Sequence, residues 1–130
     1  MIEKTPPVKG RALLGGEAIG FDKATGIGSV RYVPDKELMN PAGRVLGGYL
    51  SAMLDDVAGL ATWYAGGGRM FTTAQMSTSF LRGAKLDEPI IGESTLTSHG
   101  KRQAFAEATL SRESDGRVIA KATLVQTFLD

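Results

Sequence analysis

The 130-residue sequence contains no cysteine. This absence excludes a disulfide scaffold, a thiol nucleophile and a cysteine-ligated zinc or iron–sulfur site. Histidine occurs only once, as His99, so a site built from several histidines is excluded as well. Apolar runs stay well below the roughly 18 positions of a membrane-spanning helix, and the first residues lack the apolar core of a secretory signal. We therefore expect a cytoplasmic protein with no metal and no membrane partner.

An excess of charge of either sign is also missing. Fifteen Lys and Arg stand against fourteen Asp and Glu, a formal net charge of +1, and no cationic excess indicates binding to nucleic acid. Hydrophobic residues make up 42% of the chain, close to the globular average, which excludes disorder and coiled coil. A chain of this length suffices for one domain with its own core. We expect a single domain over residues 1–130, with residues 1–13 as a loosely ordered lead-in that can include one helical turn.

The hydrophobic pattern predicts one long helix and six strands. Strand 71–81 alternates, with Ala74 and Met76 on one face and Thr73 on the other, polar face. The order β-β-α-β-β-β-β indicates an α+β domain in which a curved antiparallel sheet wraps the helix. The predicted elements are a hairpin over 17–33, a helix over 49–64, and strands over 71–81, 90–98, 103–111 and 117–129.

The predicted helix is apolar around most of its circumference, except for a narrow stripe of small and hydroxyl-bearing residues centred on Asp55. Burying an unpaired carboxylate costs several kcal/mol, so this group must be paired, protonated or functional. The pattern is consistent with a solvated or ion-paired structural aspartate and also with a catalytic or ligand-binding one. Asp56 lies about 100° away on the helix and is either a partner of Asp55 or a partly exposed charge.

A glycine-containing loop precedes this helix and ends at Gly47 and Gly48. These glycines bring free N–H groups to a helix N-terminus, where a developing negative oxygen is stabilised. Oxyanion donors and a carboxylate two turns further on are the parts that an acyl-transfer site needs. A plain helix start explains the two glycines equally well. The sequence contains neither a phosphate-binding P-loop nor a G-x-S-x-G nucleophile motif.

Five segments of the chain carry a recognisable combination: Asn40-x-x-Gly43-x-x-Leu46-Gly47-Gly48, Asp55 in its apolar helix, TTAQMSTSFLRGA, GKRQAFAEATL and DGRVIAKATLVQTF. Together they resemble the hotdog-fold acyl-CoA thioesterases of the PaaI-like branch. The resemblance covers roughly residues 14–129. It implies a hotdog fold and homodimers whose sheets join, often as dimers of dimers. It also implies active sites at the subunit interface.

The resemblance further implies a role for each matched residue. Asp55 matches the acidic nucleophile or general base, and Gly47 matches the residue whose backbone N–H polarises the thioester carbonyl. Asn40 matches the loop asparagine that helps to hold substrate or water. Thr73 matches a hydroxyl that positions the attacking water, supplied by the facing subunit.

Other residues are candidates for binding the substrate without reacting. Leu46 stands where the family usually has histidine, and with Gly48 it flanks the oxyanion donor. The phosphates of CoA need cations near the mouth of the cleft. The candidates at strand ends are Arg82, Lys85, Lys101 and Arg102.

Three functions compete on this basis. The first is hydrolysis of an acyl-CoA thioester to a free acid and CoA, with no cofactor beyond the CoA of the substrate. The second is a non-catalytic acyl-CoA-binding protein, which the leucine at position 46 favours. The third is a hotdog dehydratase or hydratase, which would pair an acid with a histidine, although no histidine lies near the helix in the sequence.

Overall fold

An antiparallel sheet wraps one long helix in the computed structural model of the chain, which describes residues 2–3 and 8–129. The strands are β1 (Ile2–Glu3), β2 (Gly16–Asp22), β3 (Ile27–Tyr32), β4 (Phe71–Phe80), β5 (Ile90–His99), β6 (Gln103–Arg112) and β7 (Val118–Phe128). The helices are α1 (Lys9–Leu13), α2 (Gly47–Ala65) and a 3-10 turn at Lys36–Leu38. Among the described residues, no helix has both the length and the apolar character needed to cross a membrane.

All neighbouring strands pair antiparallel, in the spatial order β1-β2-β3-β5-β6-β7-β4. The predicted element order and the hotdog architecture are confirmed, and the predicted bounds of the long helix and the six strands agree within two residues. Strand β4 lies at one edge and pairs only with β7 among the described strands. Its other edge therefore presents unpaired backbone groups, a surface on which a further strand can add.

Helix α2 supplies the centre of the core, as its nearly all-round apolar pattern predicts. Met53, Leu54 and Val57 are fully buried against the inner face of the sheet. Gly28 on β3 allows α2 to approach the sheet closely, since a Cβ at this position would lie 2.6 Å from a methyl carbon of Leu60. The helix ends at Ala65 with Gly66 as its C-cap, as predicted from the three glycines that follow it.

A β-bulge interrupts β4 and changes which residues face the helix. Thr73 pairs with Gln126 and Gln75 pairs with Val125, so Ala74 is the extra residue. Thr73 is half-buried on the helix side, whereas Ala74 is exposed. The predicted strict alternation, which placed Thr73 on the polar face opposite Ala74, is therefore wrong at this point. The bulge turns the Thr73 hydroxyl toward α2.

Part of the predicted lead-in forms regular secondary structure, including the helical turn that the sequence allows. Ile2–Glu3 pairs with the end of β2, and Lys9–Leu13 forms the short helix α1. Arg11 and Leu14 are buried, so the segment is fixed to the fold through two side chains. Residues 1 and 4–7, which the same prediction covers, lie outside the described residues.

Candidate active site

Asp55 and Thr73 form a hydrogen-bonded pair between α2 and β4. Both residues are half-buried, and the Thr73 hydroxyl donates to Asp55 Oδ1 over 2.6 Å. A hydrogen bond this short to a carboxylate is charge-assisted and fixes the orientation of both groups. The two residues belong to the same chain, so this contact needs no residue from a facing subunit. The bulge at Ala74 is the physical reason for the contact.

The pair lies beside a mainly apolar cleft of about 370 Å³. Asp55 and Asp56 both contribute to its lining, and most of the other lining residues are apolar, among them the aromatic Trp63 and Phe71. The cleft has the size and character of a site for a small apolar group. Its lining residues are Val8, Arg11, Asp55, Asp56, Gly59, Leu60, Trp63, Met70 and Phe71.

Asp56 is bound to residues other than Asp55. Arg11 Nε lies 2.9 Å from Asp56 Oδ2 in a mostly buried ion pair, and the Tyr32 hydroxyl lies 2.6 Å from the same oxygen and 3.0 Å from Met53 O. Burial is the main cause that raises the pKa of Tyr32 far above its ordinary value, and the charge of Asp56 is the next. This hydroxyl therefore stays a donor. Asp56 is therefore an ion-paired structural carboxylate.

The raised pKa of Tyr32 predicts a loss of stability in alkaline solution. Above about pH 10 the unfolded chain ionises this hydroxyl while the folded chain keeps its proton, so each pH unit removes about 1.4 kcal/mol of unfolding free energy. Below pH 10 the same group has no effect on the slope. Denaturant titrations between pH 9 and 12 should show a shallower decline in Tyr32→Phe, and the half-exposed Tyr49→Phe is the control. Equal slopes in all three proteins would contradict the prediction.

The start of α2 carries the predicted backbone donors. Leu46 O accepts hydrogen bonds from the N–H groups of Tyr49 and Leu50, whereas no atom of the described chain accepts from Gly47 or Gly48. Asp55 lies eight residues further along the helix, about 12 Å along its axis. Within one chain, these N–H groups and the Asp55 carboxylate are therefore too far apart to act on the same carbonyl group.

Asn40 has a structural function that the sequence did not reveal. Its side-chain Oδ1 accepts hydrogen bonds from the N–H groups of Ala42 and Arg44, at 2.9 and 3.0 Å, and so shapes the loop before α2. Its amide nitrogen has no partner among the described residues and is left as a donor. Leu46 is 45% exposed at the N-cap position and makes no side-chain cap.

The four predicted phosphate-binding cations do not come together. Arg82 follows the end of β4 and donates to Val118 O, and Lys85 lies beside Arg44 near the start of α2. Lys101 and Arg102 lie at the β5–β6 turn, next to the opposite end of β4. Ten strand residues, about 30 Å, separate the two pairs. Across 2–3 and 8–129, no group of three acidic or histidine side chains is placed to hold a metal ion.

Gln126 is a buried polar residue next to the Asp55–Thr73 pair that the sequence pattern did not single out. It is fully buried opposite Thr73 on β7 and accepts a hydrogen bond from Thr62. Its Nε2 has no partner in the part of the chain that the structure describes. The available signal was an amide among the apolar, helix-facing positions of β7, between Leu124 and Phe128.

Thr73→Val tests the hydroxyl without a change of shape. Loss of a hydrogen bond to a carboxylate costs about 1.5–3 kcal/mol, so we expect the rate of a reaction that uses the Asp55 carboxylate to fall about 10- to 100-fold. Thr72→Val is the matched control, because Thr72 is the adjacent, exposed threonine of the same strand. Steady-state turnover, with circular dichroism of each variant, provides the measurement. A similar loss in both variants would show that strand packing, and not the hydroxyl, is responsible.

Comparison with known proteins identifies the family. The family model described as the thioesterase superfamily matches residues 42–119, which is more than half of the chain and includes α2, β4, β5 and β6. The chain therefore belongs to the thioesterase superfamily. No curated protein matches it.

Solved structures agree with this assignment. A phenylacetic acid degradation-related protein from Ralstonia eutropha JMP134 is 31% identical, covering 95% of this chain and 92% of that chain with a TM-score of 0.85. The Escherichia coli PaaI protein of the phenylacetic acid degradation operon is 16% identical, covering 92% and 87%, at 0.81. A hypothetical thioesterase from Streptococcus pneumoniae, solved with coenzyme A, is 23% identical, covering 87% and 84%, at 0.78. The predicted resemblance to PaaI-like hotdog thioesterases is confirmed.

Proposed function

We propose that the protein hydrolyses an acyl-CoA thioester to a free acid and CoA. The observation that carries this proposal is the Asp55–Thr73 pair at the edge of an apolar cleft. The carboxylate supplies the base or nucleophile, the hydroxyl orients it, and the cleft accommodates the acyl group. Membership of the thioesterase superfamily supports the reaction class, and the coenzyme A in the pneumococcal structure supports CoA as the leaving group.

Two routes use the same residues. In one, Asp55 takes a proton from water as the water oxygen attacks the carbonyl carbon. In the other, a carboxylate oxygen of Asp55 attacks the carbonyl carbon, and water then hydrolyses the mixed anhydride. In both, the bond to sulfur breaks and the CoA thiolate leaves and takes up a proton. The Thr73 hydroxyl, already bonded to Asp55 Oδ1, leaves Oδ2 to react.

The oxyanion donor would come from a second copy of the chain. The N–H groups of Gly47 and Gly48 have no acceptor in their own described chain, and they lie about 12 Å from Asp55 along the helix. The open edge of β4 offers a surface on which two copies can join their sheets. We propose a homodimer in which one chain supplies Gly47, Gly48 and the Asn40 amide, and the other chain supplies Asp55 and Thr73. Such dimers would pair again into a tetramer.

The separation of the four candidate cations into two pairs fits the same arrangement. Arg82 and Lys85 lie near the start of α2, so they would reach the CoA phosphates from the chain that supplies the oxyanion donor. Lys101 and Arg102 lie near the beginning of β4 and would have to act from the other chain. Leu46 would contact the thioester with its exposed side chain, in place of the imidazole usual in the family.

Thiol release from a panel of acetyl-, hexanoyl-, decanoyl- and phenylacetyl-CoA tests the proposal. Hydrolysis of at least one member of the panel, dependent on Asp55, is the expected result. Tight acyl-CoA binding without thiol release would instead identify a non-catalytic binding protein. Hydration of an enoyl-CoA would identify a hydratase, although the single histidine lies exposed at the end of β5.

A further inference from the structure

We infer that helix α1 forms one wall of the acyl cleft, and that Arg11 sets the acyl chain lengths that the cleft accepts by holding α1 in place. This inference rests on the proposed function in one respect, namely that the cleft beside Asp55 takes the acyl group. Arg11 acts here as a specificity-determining positioning residue and does not touch the reacting atoms.

The cleft is bounded by the α1 segment as well as by α2 and β4. Val8, the N-cap residue of α1, and Arg11 both line it, together with Gly59 and Trp63 of α2 and Phe71 of β4. Val8 is 44% exposed, so its side chain is available to contact a group that enters the cleft. A chain that fills the cleft in this direction must end at α1 or displace it.

Helix α1 depends on a few side chains for its position. It has only five residues, too few for a helix that is stable by itself. Between residues 8 and 14, only Arg11 and Leu14 are buried, and the others are exposed. Leu14 joins the core beyond the end of the helix, so Arg11 is the buried anchor within α1.

Arg11 is held by a specific and mostly buried ion pair with Asp56. Its Nε donates to both carboxylate oxygens of Asp56, at 2.9 Å for Oδ2 and 3.2 Å for Oδ1, and the Tyr32 hydroxyl also donates to Oδ2. The Arg11 stem passes over Gly16, where a Cβ would lie 2.7 Å from Arg11 Cγ. Glycine at this position therefore leaves the space through which the guanidinium reaches Asp56. Arg11→Met keeps most of the stem and removes the ion pair.

Chain-length selectivity follows from the apolar lining. Each buried methylene tightens binding about fourfold, so affinity should rise with chain length until the chain meets α1. Releasing α1 moves this limit to longer chains. Enlarging Val8 moves the limit to shorter chains, because the larger side chain extends the same wall into the cleft.

Binding of CoA thioethers tests the inference, because S-alkyl-CoA molecules lack the thioester carbonyl group and are not hydrolysed. Calorimetry of S-butyl-CoA and S-dodecyl-CoA with the full chain gives the ratio of their Kd values, butyl over dodecyl. We expect Arg11→Met to raise this ratio at least tenfold and Val8→Trp to lower it by a similar factor. Leu13→Ala, on the same helix but 79% exposed and outside the cleft, should leave the ratio within twofold.

The outcomes separate this inference from the proposed hydrolysis. If both Arg11→Met and Val8→Trp keep the wild-type ratio, or if the wild type binds neither thioether, the inference is overturned even when acyl-CoA is hydrolysed. If the ratio shifts in opposite directions while no acyl-CoA is hydrolysed, the inference holds and the proposed hydrolysis fails. If Arg11→Met does not fold, the direction of the Val8→Trp shift decides.

Discussion

Asp55→Asn should lower kcat for acyl-CoA hydrolysis about 10³-fold while the fold persists. The amide has nearly the same shape as the carboxylate and can still accept the Thr73 hydrogen bond, so the local packing is retained. It can neither take a proton from water nor attack the thioester, and general-base or nucleophilic catalysis is worth about this factor. Thiol release under saturating substrate measures the loss, and thermal unfolding confirms that the variant is folded.

Glu93→Gln is the matched control for this experiment. Glu93 is an exposed carboxylate on β5 that does not line the cleft, so its rate should stay close to the wild-type rate. A rate for Asp55→Asn within tenfold of the wild type would contradict the proposed chemistry. Mass spectrometry of the wild type, quenched during turnover, distinguishes the two routes, because only nucleophilic attack leaves an acyl group on Asp55.

Gly47→Pro should lower kcat about 10²- to 10³-fold, as loss of one oxyanion donor does elsewhere. Proline removes the N–H of Gly47 and is well tolerated at the first position of a helix. Leu46, the preceding residue, already has φ −55° and ψ 138°, the extended conformation that a residue before proline prefers. The change is therefore confined to one donor. Rates of thiol release, with KM, provide the measurement.

Gly47→Ala keeps the N–H and is the control. A Cβ there would lie 3.5 Å from the Phe80 ring, an ordinary contact, so its rate should remain within a few-fold of the wild type. Equal losses in the alanine and proline variants would point to crowding by Phe80 and not to the lost donor.

Co-expression of Gly47→Pro with Asp55→Asn tests the division of the site between chains. In a mixed dimer, one of the two sites would contain an intact Gly47 from one chain and an intact Asp55 from the other. Random pairing should therefore restore about a quarter of the wild-type activity, whereas each variant alone is nearly inactive. No recovery in the isolated mixed dimer would show that both groups act within one chain.

The fold could be predicted from the sequence because each element carries a strong local signal. Helix α2 is a long apolar run that ends at three glycines, and the later strands alternate between polar and apolar residues. The helix began two residues earlier than predicted, at Gly47, because glycine is a poor helix former and its place in the first turn depends on the surrounding loop. Asp55 was recognised because a carboxylate on an apolar helix is costly without a partner or a function.

The contacts that connect distant segments could not be predicted in the same way. Arg11 is 45 positions from Asp56, and no local pattern marks it as the partner of that carboxylate. The contact of Thr73 with Asp55 depends on a bulge, and a bulge leaves the residue types of a strand unchanged while altering their direction. The separation of the four candidate cations could not be predicted either, because a position at a strand end does not reveal the sheet order, which places the two pairs at opposite ends of β4.

The extra residue in β4 also affects how relatives of this protein should be aligned. With Ala74 removed, Phe71 and Met76 would still face the helix, and Thr73 would lie between them on the same side of a regular strand. A homologue without the bulge would thus present an equivalent hydroxyl with one residue fewer between it and the C-terminal end of the strand. Aligning such a homologue correctly requires a gap in the middle of a strand. An ungapped alignment that matches the residues after the bulge would pair its hydroxyl residue with Ala74.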